Sequence, residues 1–288
     1  MEYIVRKSTT RLCISICIEL FLIFILYPWI AVPKLPIHTA NFLGNTGNVV
    51  VSGRRPFFYL YDAVAGKVDE VPRIHGRDEK SWEKHSVSPT GQLIAFYGND
   101  GYIVLVDAHS KHWVGDLKIN GSVRAITFTP DGSQILASGS DGDVYRWDVH
   151  SRRCIERFSN NDGTITASLA ATSKYMAVGA ESGVVNLYSE HSNKKEPLKS
   201  IMNLHTSVEG LQFNHDGQIL AMRTQRDIHG FKLLHVPSRT VFSNWPTSKT
   251  PLKYVWSSDF SPESKFLALG NDKGKCLLYQ LGHYQLDD

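Results

Sequence analysis

The chain is poor in cysteine. Cys13, Cys17, Cys154 and Cys276 are the only four in 288 residues. They form no CxxC unit and no disulfide framework, which favours a reducing compartment. Cys154 and Cys276 stand alone in strand-like sequence and read as buried free thiols. A strong charge of one sign is also missing, because 31 basic and 28 acidic residues leave a formal net charge of +3. That balance tolerates a nucleic-acid neighbour without arguing for one. There is no glycine-rich phosphate loop and no GKS or GKT tripeptide. No serine or cysteine nucleophile is paired with a histidine by a recognisable pattern. An enzyme is therefore the least favoured class, and no cofactor or metal is expected.

Long hydrophobic runs are confined to the first 33 residues, which do not match the rest. Arg6, Lys7 and Arg11 precede the apolar run Cys13 to Val32, in which Glu19 is the one charged residue. The run approaches the ~20 apolar residues needed to span a bilayer and resembles a signal anchor. Glu19 is costly inside a membrane, Pro28 interrupts a helix, and Ala31 lacks a clean cleavage context. We read residues 1–33 as an anomalous segment, either signal-anchor-like or an altered gene product, and favour the second. The remaining residues, 34–288, form a separate unit.

What this second region does contain is a repeat. ITFTPDGSQILASGSDGDVYRWDV (Ile126 to Val149) has counterparts in HSVSPTGQLIAFYGNDGYIVLVDA from His85 and TASLAATSKYMAVGAESGVVNLYS from Thr166. A fourth copy is WSSDFSPESKFLALGNDKGKCLLYQL from Trp256, and weaker ones begin at His38 and Glu209. A glycine closing the second strand anchors the period, at Gly53, Gly98, Gly139, Gly179 and Gly270, with Arg223 in the vacant place. The spacing is near 41 residues and yields six units. In each, a turn such as TPDG or NHDG leads into an apolar strand, then a tight turn and another apolar strand. Asp100-Gly101 and Asp141-Gly142 supply the positive-φ residues of a two-residue hairpin. Strands such as QILAS and YIVLV are apolar at consecutive positions, so both faces must be covered. Stacked units of 40–45 residues with this pattern predict an all-β fold, a β-propeller with six visible blades.

The unit resembles the WD repeat, with Trp147-Asp148 as its literal signature, although five of the six units lack that pair. More specific wording comes from DGDVYRWDVHSRRCIERF (Asp141 to Phe158), PSRTVFSNWP (Pro237 to Pro246) and FLALGNDKGKCLLYQLGHY (Phe266 to Tyr284). These stretches are similar to the U3 small nucleolar RNA-associated protein 18 family over about residues 34–288. The resemblance implies a scaffold of the small-subunit processome in the nucleolus, within the nucleus. It implies assembly with other WD-repeat proteins around U3 RNA and support of ribosomal RNA processing. It also implies a seventh blade and a long polar extension, which residues 1–33 do not match. The family's recruitment of an exosome helicase through that extension is accordingly not expected here. The alternatives are a WD adaptor for another complex, such as a ubiquitin ligase, or a membrane-tethered propeller.

Three acids, Asp141, Asp143 and Asp148, invite a cation. Asp141 sits in a turn shared by the other repeats, and alternation sends Asp143 and Trp147 to one face and Asp148 to the other. Turn and packing roles are the better reading, with Trp147 placed between blades. His109 and His112 form an HxxH without further metal ligands and read as a solvated loop pair. The candidate partner or RNA contacts are loop cations: Arg152, Arg153, Arg157, Lys194, Lys195, Lys273 and Lys275.

Overall fold

Strands that are apolar on both faces cannot be covered by their own sheet, and that requirement organises the molecule. A computed structural model describes residues 35, 37–44, 46–160, 164–190, 196–247 and 249–284. The first sheet contains β1 (Ile37–Phe42), β2 (Asn48–Gly53), β3 (Phe58–Asp62) and β4 (Lys67–Val71). The second contains β5 (His85–Val87), β6 (Leu93–Tyr97), β7 (Tyr102–Asp107) and β8 (Trp113–Lys118). The third is β9 (Val123–Phe128), β10 (Gln134–Gly139), β11 (Asp143–Asp148) and β12 (Cys154–Ser159). The fourth is β13 (Thr166–Ala171), β14 (Tyr175–Ala180), β15 (Val185–Ser189) and β16 (Lys199–Ile201). The fifth holds β17 (Gly210–Phe213), β18 (Ile219–Arg223), β19 (Phe231–His235) and β20 (Thr240–Val241). The sixth has three strands, β21 (Val255–Phe260), β22 (Phe266–Asn271) and β23 (Cys276–Gln280).

Every sheet is an antiparallel meander in sequence order, and the described residues contain no α-helix. These are the six blades of the propeller that the repeat predicts. The third blade shows why the sequence folds this way. Gly132 (φ 72°) and Gly142 (φ 83°) occupy the left-handed region in its first two turns, where a side chain is strained. Between them, Ile135, Leu136 and Ala137 of β10 are wholly buried. Ile135 and Ala137 pack toward the second blade, and Leu136 packs toward the fourth. Burying such large aliphatic side chains stabilises by roughly 1.5–3 kcal/mol each.

The same division recurs around the molecule. Phe58, Ile94 and Phe96 fill the space between the first and second blades, beside the fully buried Trp82. Leu187 and Leu220 join the fourth to the fifth, and Leu233 and Leu269 join the fifth to the sixth. The other face of the first blade forms a cluster of its own around Val49, Val51, Tyr59 and Tyr61.

Turns fall on two opposite faces. On the lower face, the turn after each blade's third strand meets the turn after its first. Val149 N donates to Ser133 O (2.9 Å) and Val236 N to Gln218 O (2.8 Å). The upper face holds the turn after the second strand and the crossing between blades. There Ser140 N donates to Ser122 O and Asn160 N to Gly142 O (3.0 and 3.3 Å).

Register corrects one expectation about the repeat. Gly53, Gly98 and Gly139 do occupy equivalent places. In the last three blades, however, the equivalent residues are Ala180, Thr224 and Asn271, each one position after Gly179, Arg223 and Gly270. The site does not demand glycine, since Ala180 is fully buried there. At the upper end of the innermost strand the register also slips by one residue. The extra residue is His38, Arg124, Ala167 and Trp256 in the first, third, fourth and sixth blades. In the fifth, Glu209 N donates to the Arg223 carbonyl opposite Gly210, which is the same bulge.

Two of the polar contacts that fasten neighbouring blades involve enclosed ionisable side chains. Arg146 of β11 is enclosed, with 9% of its side chain exposed, and it pairs with Glu190 of the fourth blade and with Glu156 (3.3 Å). Its Nη1 also donates to Gln134 Oε1 (2.9 Å). His85 is buried between the first and second blades, with Nδ1 2.7 Å from Ser52 Oγ. Burial pulls its imidazole down from 6.5 to about 3.

Both contacts generate predictions. Arg146→Ala leaves Glu190 without its cation in an enclosed site, and should lower unfolding free energy by about 3 kcal/mol in urea titrations. An unchanged midpoint would show that the pair contributes nothing. His85 is neutral when folded and binds a proton readily when unfolded. Below pH 6.5 the unfolded state therefore takes up the extra proton. Stability should fall by up to about 1.4 kcal/mol per pH unit from 6.5 toward 3 on this account. His85→Gln should flatten that slope, as read from urea midpoints at pH 7, 6 and 5.

Candidate functional site

The acid-rich stretch Ser140 to Cys154 is resolved by its own geometry. Asp141 lies in the upper turn, where its Oδ1 accepts the Asp143 N–H (3.2 Å) and its Oδ2 accepts the Tyr145 hydroxyl. Asp143, at the start of β11, faces Arg157 on the outermost strand β12. Arg157 Nη2 is 2.6 Å from Asp143 Oδ2 and 3.5 Å from Asp141 Oδ2. Its guanidinium carbon also stands 5.1 Å from the centroid of the Tyr145 ring. The place between the acids is thus filled by a guanidinium rather than left for a cation. Burial and the Asp141 carboxylate push the Tyr145 phenol up to about 12.

Asp148 has a different task. Its Oδ1 accepts the Ser151 N–H at 2.6 Å, and with the Ser151 hydroxyl this holds its carboxyl below the usual range. Asp107 Oδ1 likewise accepts the Ser110 N–H (2.6 Å), and Asp62 Oδ1 accepts the N–H groups of Val64 and Ala65 (both 2.9 Å). All three close the third strand of their blades and secure the lower turn. Trp147, one residue earlier, packs half-buried in the cluster between the second and third blades. The Trp-Asp pair is therefore an architectural device, a wedge followed by a turn lock. Among the described residues no group of three or more His, Cys, Asp or Glu side chains could hold a metal. His109 and His112 are both exposed in the lower turn of the second blade.

The loop cations do not converge on one site. Arg152 and Arg153 are exposed in the lower turn of the third blade, with Arg152 in the left-handed region at φ 56°. The Arg152 guanidinium lies against Gly115 of β8, where an added Cβ would come within 2.5 Å of it. Arg157 is engaged by the two acids. Lys273 belongs to the upper turn of the sixth blade, where it pairs with Asp272 at 3.1 Å, and Lys275 is half-buried beside it. Lys194 and Lys195 lie outside the described residues, as do Cys13, Cys17 and the anomalous segment 1–33. Among the described residues no helix is long and apolar enough to cross a membrane.

The reading of Cys154 and Cys276 as buried thiols needs revision for both, to different degrees. Cys276 is half-buried, and burial raises its thiol to about 11. Cys154 is exposed, because β12 is the outermost strand and no further strand covers its register position. Two other surfaces had escaped sequence reasoning. The outer edge of the second and third blades exposes Trp113, Val114 and Ile155, with Arg152 lying across the blade boundary. On the lower face, a hollow of about 330 Å³ opens where β9, β13 and β17 end. It is lined by Thr127, Lys174, Tyr175, Phe213 and His215, among others. Neither carries a local sequence signal, since each joins residues some 40 positions apart.

Comparison with known proteins gives this geometry a lineage. The WD domain, G-beta repeat family matches residues 112–148, which span the last strand of the second blade and most of the third. The chain is 44% identical over 255 residues to the U3 small nucleolar RNA-associated protein 18 homolog of Arabidopsis thaliana. It is 41% identical over 260 residues to the Homo sapiens homolog. To the Saccharomyces cerevisiae U3 small nucleolar RNA-associated protein 18 it is 31% identical over 301 aligned positions. These alignments cover 87%, 87% and 86% of this chain, and 47%, 47% and 51% of the relatives. The chain thus spans about half the length of the curated relatives it matches, and over that span it resembles the U3 small nucleolar RNA-associated protein 18 family, with the architecture of a WD-repeat β-propeller.

Proposed function

We propose that the chain is a non-catalytic WD-repeat scaffold of the U3-containing small-subunit processome. In this role it supports pre-ribosomal RNA processing and small-subunit biogenesis in the nucleolus. The observation that carries the reading is the extent of the match. Relatives from plant, animal and yeast named for association with U3 small nucleolar RNA align through nearly the whole of this chain. The geometry agrees with a binding role. Its acids serve turns and ion pairs, and its blades present two broad faces and an outer edge. Other WD-repeat proteins of the same assembly are the proposed neighbours, and Arg152 and Arg153 a proposed point of contact on the lower face.

The experiment is affinity purification of the tagged chain from its own cells, with co-purified RNA quantified. U3 RNA should be enriched at least tenfold over an unrelated nucleolar bait, and depletion should accumulate small-subunit RNA precursors. Arg152→Glu with Arg153→Glu should reduce the enrichment without altering thermal stability. Normal precursors after depletion, with no U3 enrichment, would overturn the reading. A purified set dominated by ubiquitin-ligase subunits would assign the chain to another machine.

A further inference from the structure

Two neighbouring outer strands carry the same irregularity. On β8, Gly115 pairs with Leu105 and Trp113 with Val106, which leaves Val114 as an extra residue. On β12, Glu156 pairs with Arg146 and Cys154 with Trp147, which leaves Ile155. A bulge re-aims the side chain it inserts, and here both are aliphatic and open to solvent. Val114 is 37% exposed and Ile155 55%, with Trp113 beside Val114 at 46%.

The exposed indole is held in place from beneath. Trp113 Nε1 donates to Asp116 Oδ1 at 2.9 Å, and Arg77 Nη1 donates to Asp116 Oδ2 at 2.7 Å. Arg77 pairs in turn with the buried Glu79. An enclosed ion-pair network thus ends on a side chain that leaves its ring in solvent. The Arg152 guanidinium lies over Gly115, where an added Cβ would come within 2.5 Å of Arg152 Nη1. This contact ties the third blade's lower turn to β8 between Val114 and Asp116. Arg152 makes it from the left-handed region, at a turn position that the first blade fills with Gly66. The cation is kept there despite the backbone strain that glycine would avoid.

Charge around this surface has one sign left over. Asp116 is held by Arg77 and Trp113, Glu156 by Arg146 at 3.3 Å, and Asp148 by the Ser151 N–H. Arg152 and Arg153 have no ion pair among the described residues. An apolar surface bordered by free guanidinium groups complements a segment in which acids flank an apolar residue. We propose that this outer edge, centred on Trp113, Val114 and Arg152, docks an acidic peptide segment of a partner protein. An apolar side chain of the segment lies on the Trp113 indole, and its carboxylates meet the Arg152 and Arg153 forks. Val114 and Ile155 favour a peptide over a nucleic acid, because aliphatic side chains offer no ring on which a base can stack. The indole is already fixed, so binding does not have to order a mobile side chain there. This inference goes beyond the processome reading and holds whichever assembly supplies the segment.

The test pans a random dodecapeptide display library on the purified full chain, with enriched peptides synthesised and titrated by fluorescence anisotropy. Enriched sequences should carry Leu, Phe or Trp flanked by Asp or Glu, and their binding should weaken as salt rises. Trp113, Arg152 and Arg153 are exposed, so W113A and R152E/R153E should keep the parent's melting temperature. Each should lose at least tenfold in affinity, whereas I228A, in the upper turn of the fifth blade, should bind like the parent. No enrichment, enrichment of neutral or basic peptides, or equal affinity in W113A and the parent would overturn the proposal. So would tighter binding of a 12-nucleotide polyuridine RNA that W113A abolishes, which would assign the edge to nucleic acid. The purified chain meets no cellular partner in this experiment, so its failure leaves the U3 enrichment test standing.

Discussion

Everything in this molecule depends on cover supplied by a neighbour. A blade's middle strands are apolar on both faces, and a single sheet can bury neither. Ile135 and Leu136 are adjacent in sequence yet belong to different hydrophobic clusters, because alternation sends them to opposite sides of β10. Each of the second to fifth sheets is therefore a partition between two cores rather than the wall of one. The blades fold as an array in which every interface is shared. The enclosed Arg146–Glu190 pair follows the same logic in polar form, since its two members come from adjacent blades.

The array requires turns that bring each chain segment back at a fixed distance, and the polar residues are spent largely on this. Glycines in the left-handed region make the upper and lower turns tight. Asp62, Asp107 and Asp148 then fix the lower turn at the end of the third strand. The fifth blade reaches a related end with His235 Nδ1 against Ser238 Oγ at 2.7 Å. A carboxylate at that position is one way of satisfying free backbone donors. This explains why the repeat survives in blades that have no Trp-Asp pair.

The period, the turn residues and the doubly apolar strands were legible because each is a local, repeated consequence of those constraints. The family was legible through the wording of blade surfaces such as HSRRCIERF. Register was not. Gly179 and Gly270 looked like the counterparts of Gly139, but pairing places Ala180 and Asn271 there. A glycine one residue early satisfies the eye as well as one in place, and only the cross-strand partner decides. The exposure of Cys154 was hidden for a related reason, since nothing in CIERF says that its strand is the last in its sheet. The scattered loop cations were visible as residues, whereas their distribution over two opposite faces depended on the meander's direction.

The least legible cations turn out to be the least satisfied ones. Arg157, Arg54 and Arg226 sit on turns or outer strands and find carboxylates within 3.5 Å. Lys84, Arg124 and Arg223 sit at strand ends, where sequence reading assigns framework duties. A framework that sought only stability would place neutral residues there, as the fourth blade does with Ala167. A charge in place of such neutrality costs stability through desolvation. The neighbouring acids do not repair it, because the upper-turn arginines already hold them. The charge left at these strand ends is thus a feature the packing tolerates rather than one it needs.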